Sequence, residues 1–274
     1  MKKFLIALCV SLLVSSPAVA KEHKAPKPPK QTKQVPETSH ENIRVPKSVV
    51  DISKLNTYPN PTQNEPELQP SPMAKGLLKN ANVPIENLAL IRLLNESTIH
   101  TSKLSIGYRA KIYLGNWPLN YQSNKTTINW EYKKINENRV DNRGTIQPQK
   151  LVYFQEEQAK VMGGLTAQVP DENEVKKLMM MKASSKIEMP IAFTTYVGRG
   201  TKIDRIYQVA PKKVGHLFGF VPAVNEKGKV TYGEVYLVLK GGSKRIEVKN
   251  ITQQGIGAWI PIQDYIALRY NSTN

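Results

Sequence analysis

Apolar positions are densest at Val235-Tyr-Leu-Val-Leu239, an unbroken run between Gly233 and Gly241. A short run of this kind fits a strand buried on both faces, and periodicity alone also admits a buried helix segment. The flanks decide for a strand. Gly241-Gly242 has the composition of a tight hairpin turn, where glycine supplies the positive φ. Beyond it, Ser243 to Asn250 resumes with Ile246 and Val248 alternating against charge. Upstream, Glu226-Lys-Gly-Lys229 predicts a second turn, preceded by the apolar Leu217-Phe-Gly-Phe-Val221. Three strands joined by two turns make a meander with 235–239 in its central strand.

Strict alternation recurs elsewhere. Leu104, Ile106, Tyr108, Ala110, Ile112 and Leu114 fall on one face of a strand, and Ser105, Arg109 and Lys111 on the other. That pattern predicts a half-buried strand of an antiparallel sheet, ended by Asn116-Trp-Pro-Leu119. Thr126 to Ile135 alternates again through Ile128, Trp130 and Tyr132. Leu151–Phe154 and Leu165–Val169 bracket Gly163-Gly164, and 191–197, 203–209, 258–262 and 265–270 complete the strands. Helical spacing is rarer. Ser71-Pro72 pairs an N-cap with proline at the first helical position and opens a short helix to about Leu78, weakened by Gly76. Pro84 to Leu94 repeats Leu88, Ile91 and Leu94 at helical spacing. Asp171-Glu-Asn-Glu174 places acids where a helix N-terminus favours them, ahead of Val175, Leu178, Met179 and a run to about Lys186. Strands outnumber helices and do not alternate with them. The expected fold class is α+β, mainly antiparallel β-sheet with a few short helices.

The chain begins differently. Lys2 and Lys3 precede the apolar Phe4–Val14, and Ala18-x-Ala20 follows. These are the three parts of a secretory signal peptide, and the apolar core falls short of the roughly 20 residues a spanning helix needs. Cleavage after Ala20 would remove Cys9, the sole cysteine, so the mature chain would hold no disulfide. That suits an exported protein of a Gram-positive bacterium better than a disulfide-rich secreted module. It would also take Lys2 and Lys3 from a net charge of +17, leaving +15. Residues 21–48 are rich in Pro, Lys, Gln and Thr with little to bury, which predicts a disordered basic tail. Residues 49–274 are then one folded domain, a length that single domains reach.

Several stretches together resemble one family. They are Asn56-Thr-Tyr-Pro-Asn-Pro-Thr62, Trp117-Pro-Leu-Asn-Tyr121, Gly163-Gly-Leu-Thr166, Val224 to Leu239, and Gln254-Gly-Ile-Gly-Ala-Trp-Ile-Pro261. The resemblance, from about Val49 to Tyr270, is to the YfkD-like family, exported proteins of Bacillus-type bacteria. It implies export and a shared fold. It implies no activity, cofactor or catalytic residue, and no residue role is carried over from it.

Candidate chemistry is sparse. Without Cys9 there is no cysteine nucleophile. The histidines are His23 and His40 in the tail and His100 and His216 in the domain, with no His-Glu-x-x-His zinc motif. There is no Gly-x-Ser-x-Gly elbow and no phosphate-binding glycine loop; Gly198-Arg-Gly200 reads as a turn. No cofactor, catalytic residue or metal ligand is assigned. A carboxylate pair suffices for a glycosidase, and the acids are Glu156, Glu157, Asp204, Glu234 and Asp264. Glu156 and Glu157 would point to opposite faces of a strand, which suits no pair. Glu234, entering the buried strand, must be exposed, paired or shifted in pKa, and is the acid to test for an enzyme. Trp117, Trp130 and Trp259 could stack on sugars but sit in or beside strands, where packing is the simpler role. Met179-Met-Met181 reads as helix packing.

Basic residues remain. Lys240, Lys244, Arg245 and Lys249 surround the Gly241-Gly242 turn, and Lys212-Lys213 precede the same sheet. Cations on one rim attract polyanions through their long-range field. The leading expectation is a non-enzymatic protein of the cell surface or wall space that associates with an anionic wall polymer, a membrane surface or a protein partner. Export argues against nucleic acid. A carboxylate-dependent wall-modifying enzyme and a spore-layer structural component are the rivals.

Overall fold

The computed structural model describes residues 44–60, 68–97 and 107–274; the leader with Ala18 and Ala20, most of the tail, Leu104, Ile106, His23, His40 and His100 lie outside the described residues. In chain order the elements are β1 (Val49–Asp51), α1 (Pro72–Lys79), α2 (Leu88–Glu96), β2 (Arg109–Asp141), β3 (Gln149–Phe154), β4 (Ala159–Met162), β5 (Gly164–Leu165), α3 (Glu172–Ile187), β6 (Thr194–Val197), β7 (Lys202–Val209), β8 (Val214–Lys240), β9 (Ser243–Pro261) and β10 (Tyr265–Thr273). Their strand pairings are antiparallel, so the expected α+β class is the one found.

A three-stranded ribbon organises the rest. β8 is its central strand, 27 residues long, with a contour of about 90 Å at the usual rise per residue. Along one edge β2 pairs with it from Arg109↔Lys240 to Asp141↔Val214. The other edge is shared in tandem: β9 takes Ala223 to Lys240 and β10 takes Val214 to Phe220. β1 extends the sheet beyond β10, and β5 extends it beyond β9.

The strand at 235–239 is central as expected, but two predicted breaks are absent. Glu226-Lys-Gly-Lys229 is not a turn. β8 runs through it, with Thr126↔Glu226 and Ser123↔Gly228 on one side and Ala258 and Ile256 on the other. Lys227 and Lys229 point to solvent while Glu226, Gly228 and Val230 are buried, the alternation of a strand. Gly228 is there for space, because a Cβ would lie 2.1 Å from the Gln122 carbonyl oxygen and 2.5 Å from the Tyr121 hydroxyl. Asn116-Trp-Pro-Leu119 likewise fails to end a strand, since β2 continues to Asp141. An edge strand tolerates Pro118, which has no N–H to offer a ladder, and register shifts at Tyr113/Gly115 and Pro118/Asn120 absorb the distortion. The predicted half-buried face is kept only in part: Ala110 and Leu114 are half-buried, while Ile112 is 45% exposed and Tyr108 56%. Residues 258–262 and 243–250 belong mostly to one strand, β9, and 165–169 shrinks to β5.

Each length of ribbon has its own cover. Around Gly241 the α1–α2 pair packs Leu77, Leu90 and Leu94 onto Leu119, Val235, Leu237, Ile246 and Val248. In the middle α3 lays Val175, Leu178, Met179 and Ala183 over Tyr121, Val224, Val230 and Ile256. At the far end Leu151, Tyr153, Ile203 and Val209 cover Leu217, Val221 and Leu268. Both short helices are capped from their own sequence: Ser71 accepts from Ala74 N–H at 3.2 Å and Asn87 from Leu90 N–H at 2.9 Å. Asp171 stands at the N-cap of α3 but in left-handed backbone (φ 51°) without a side-chain capping bond. There the first-turn acids Glu172 and Glu174 serve the helix dipole instead.

Candidate polyanion-binding end of the ribbon

At the Gly241 end the register brings cations from three strands onto one face. Arg109 stands opposite Lys240, Lys111 opposite Val238 and Arg245, and Tyr113 opposite Tyr236 and Glu247. Lys249 and Glu234 form the next rung. The opposite face carries Leu237, Ile246 and Val248 into the core under α1 and α2, so this one is left to solvent. Sequence reading named Lys240, Lys244, Arg245 and Lys249; it missed Arg109 and Lys111, which only the long-range pairing of β2 delivers. Lys244 is on the other face, opposite Leu239.

Charge here is unbalanced. Glu247 alone serves three cations, with Lys111 at 3.1 Å, Arg245 at 3.4 Å and Lys249 at 3.6 Å. The Lys111 bond first, then Arg245, holds its carboxyl below the usual range. Arg109 and Lys240 have no carboxylate partner among the described residues. Like charges directly opposite on neighbouring strands repel, and these two line a shallow recess of about 350 Å³ with Lys111 and Val238. Aromatic rings lie between the charges: Tyr113 and Tyr236 have centroids 5.2 Å apart, and Lys111 Nζ sits 4.2 Å over the Tyr236 ring.

The remaining sequence candidates do not join this face. Lys212 and Lys213 precede Val214, at the opposite end of β8, so they share no rim with Lys240. Glu234 does lie on the basic face, half-buried, and accepts from the Tyr236 hydroxyl at 2.8 Å. Bonds from Asn250 and then Tyr236 hold its carboxyl below the usual range, which makes it an ionised partner and a poor proton donor. Glu156 and Glu157 are exposed between β3 and β4, in no strand. Asp204 is exposed beside Lys202, and Asp264 accepts from Asn60 Nδ2 at 2.9 Å where β9 gives way to β10. Trp117 donates to the Leu114 carbonyl at 2.9 Å, and Trp259 stacks on Tyr132 with centroids 5.1 Å apart. Trp130 packs against the cluster of Val49, Phe220 and Ala267, and Met179 is fully buried on the inner side of α3. His216 bonds to Glu137 at 2.8 Å, tying β8 to β2.

Two polar constellations escaped the sequence reading. Glu226 is fully buried in mid-ribbon, and its carboxylate accepts hydroxyl bonds from Tyr121 (3.0 Å), Thr126 (2.6 Å) and Ser123. Lys186 of α3 donates to Ser123 Oγ at 2.7 Å, so its positive charge stands one hydroxyl away. Uncompensated burial of a carboxylate would cost several kcal/mol, while each bond to the charged group returns roughly 1.5–3 kcal/mol. Burial first, then the Glu226 charge, pushes the Tyr121 phenol well above its usual range. The other constellation belongs to Asn56 and Asn60. Asn60 bonds the Tyr196 backbone at N–H (2.6 Å) and carbonyl (3.1 Å), and Asn56 Oδ1 accepts from Gly198 N–H at 2.7 Å. These asparagines fasten the segment after β1 to β6 as a neighbouring strand would.

Comparison with known proteins agrees with the resemblance. The family described as YfkD-like protein matches residues 46–274. An uncharacterised protein of Bacillus subtilis (strain 168), YfkD, is 58% identical over 228 residues, covering 83% of this chain and 86% of its own. Among solved structures, a lamprey immune protein is 9% identical over 60% of this chain and 53% of its own, with a TM-score of 0.22. An aerolysin-like protein of Bombina maxima is also 9% identical, over 60% of this chain and 97% of its own, at 0.14. Likenesses of that size carry no argument here.

Proposed function

This chain belongs to the YfkD-like family, and from that premise we propose that it is an exported, non-enzymatic protein of a Gram-positive cell surface or wall space that binds anionic polymer through the Gly241 end of its ribbon. The basic start, apolar core and Ala18-x-Ala20 support a leader removed after Ala20, followed by a basic tail to residue 48 and one domain from residue 49. The observation that carries the binding reading is the facing pair Arg109 and Lys240, which have no carboxylate partner among the described residues and so repel each other until an anion stands between them. Lys111, Arg245 and Lys249, sharing Glu247, extend that field along the face.

The test is retention of residues 21–274 on purified cell walls, with and without their teichoic acid, across a salt series. Binding should require the anionic polymer and fade as salt screens the charges. Changing Arg109→Gln and Lys240→Gln together should weaken it by an order of magnitude or more. Salt-insensitive binding to the stripped glycan would overturn the proposal and return attention to the carboxylates.

A further inference from the structure

We infer that this same end of the ribbon also docks end-on against an anionic lipid surface, a proposal that rests on the polyanion reading of its cations and extends it to headgroups. Tyr108, Ile112 and Tyr113 lie within one short stretch and are 56%, 45% and 55% exposed. Exposed aromatic and aliphatic groups scattered singly call for no explanation; these are concentrated where the cations are. Alternation puts Tyr108 and Ile112 on one face of the ribbon and Tyr113 on the other. A polymer lying along one face would cover only one of those sets. A fluid interface entered by the tip wets both.

The chemistry is that of an interfacial anchor. Tyrosine prefers the headgroup level, with its ring toward the acyl chains and its hydroxyl in water. Among the described residues, Arg109, Lys111, Lys240, Arg245 and Lys249 surround these groups, against Glu234 and Glu247. The excess of cations complements an anionic headgroup layer, where each one near the surface adds about fivefold to affinity. The Gly241-Gly242 turn has no bulky side chain to hold the end away from the surface.

The experiment compares residues 21–274 with two variants, Tyr108→Ser/Ile112→Ser, which leaves the cation face intact, and Arg109→Gln/Lys240→Gln, each checked for an unchanged melting temperature. Binding is measured by sedimentation with phosphatidylglycerol–phosphatidylcholine vesicles, with pure phosphatidylcholine vesicles, and by titration with soluble polyphosphate. The parent should bind anionic vesicles and polyphosphate but not neutral vesicles. The apolar double variant should lose about tenfold for vesicles and nothing for polyphosphate, and the cation variant about 25-fold for both. A Tyr113→Trp probe should shift its emission to the blue on anionic vesicles. An apolar double variant that binds vesicles as the parent does would overturn the inference. Polyphosphate binding without vesicle binding would overturn it too and leave the polyanion reading standing. Binding to neither probe would remove both.

Discussion

The middle of the ribbon and its Gly241 end are built from the same three long strands and treat charge in opposite ways. In the middle, a single carboxylate is withdrawn from water, and Tyr121, Ser123 and Thr126 are turned toward it, with α3 packed over the neighbouring core. At the end, Arg109, Lys111, Lys240, Arg245 and Lys249 crowd one open face with Glu234 and Glu247. A buried charge with all its bonds made is committed to the fold. An exposed charge in excess is available to a partner. Polarity alone distinguishes neither, and the opposing strand decides both.

The largest expected effect tests the middle. Glu226→Ala should lower unfolding free energy by about 3–5 kcal/mol, the cost of breaking a buried charged constellation, as read from urea denaturation; a loss under about 1 kcal/mol would mean that the network does not hold the strands. Gly228→Ala comes next at about 1–3 kcal/mol. Its Cβ would meet the Gln122 carbonyl and the Tyr121 ring, and Tyr121→Phe in the same chain should not relieve the backbone contact.

A smaller effect appears at alkaline pH. Burial raises the phenols of Tyr121 and Tyr153, and burial with the Asp171 charge pushes Tyr232 up to about 12. Unfolded tyrosines lose their protons near about pH 10. Above that the unfolded chain binds fewer protons than the folded one, so stability is intact below pH 10 and falls as pH rises toward 12. Tyrosinate absorbance should accordingly rise in two phases, the later one coinciding with loss of fold. The smallest effect tests the end: Glu247→Gln should leave the melting temperature unchanged and strengthen polyanion binding several-fold at low salt. An unchanged affinity would mean that the cations it holds are not the ones used.

Fold class was legible in the sequence because period-two alternation is local. So were the central position of 235–239 and the cap at Ser71. What could not be read was which interruptions were real. Glycine between lysines at 227–229 has the composition of a turn, and only Tyr121 and the Gln122 carbonyl, more than a hundred positions away, give Gly228 its reason. Three of the five cations of the basic face were visible around Gly241 because Lys240, Arg245 and Lys249 are neighbours in sequence, whereas Arg109 and Lys111 come from a strand whose pairing no local pattern announces. The alternation Glu226, Gly228, Val230 against Lys227, Lys229 was the signal that could have exposed the buried acid.

The tandem sharing of β8 also orders assembly in time. β8 and β9 meet across a two-residue turn, so that hairpin can close within microseconds. β2 must be found across a separation of 73 residues at Asp141↔Val214 and 131 at Arg109↔Lys240, and such loops close slowly. Until it arrives, one whole side of β8 is an unpaired edge, the feature that recruits other chains. Refolding yield should therefore drop steeply with protein concentration, and a separately supplied β2 peptide should raise it. The long ribbon that presents the basic end has a kinetic cost: a period of vulnerability before β2 finds β8.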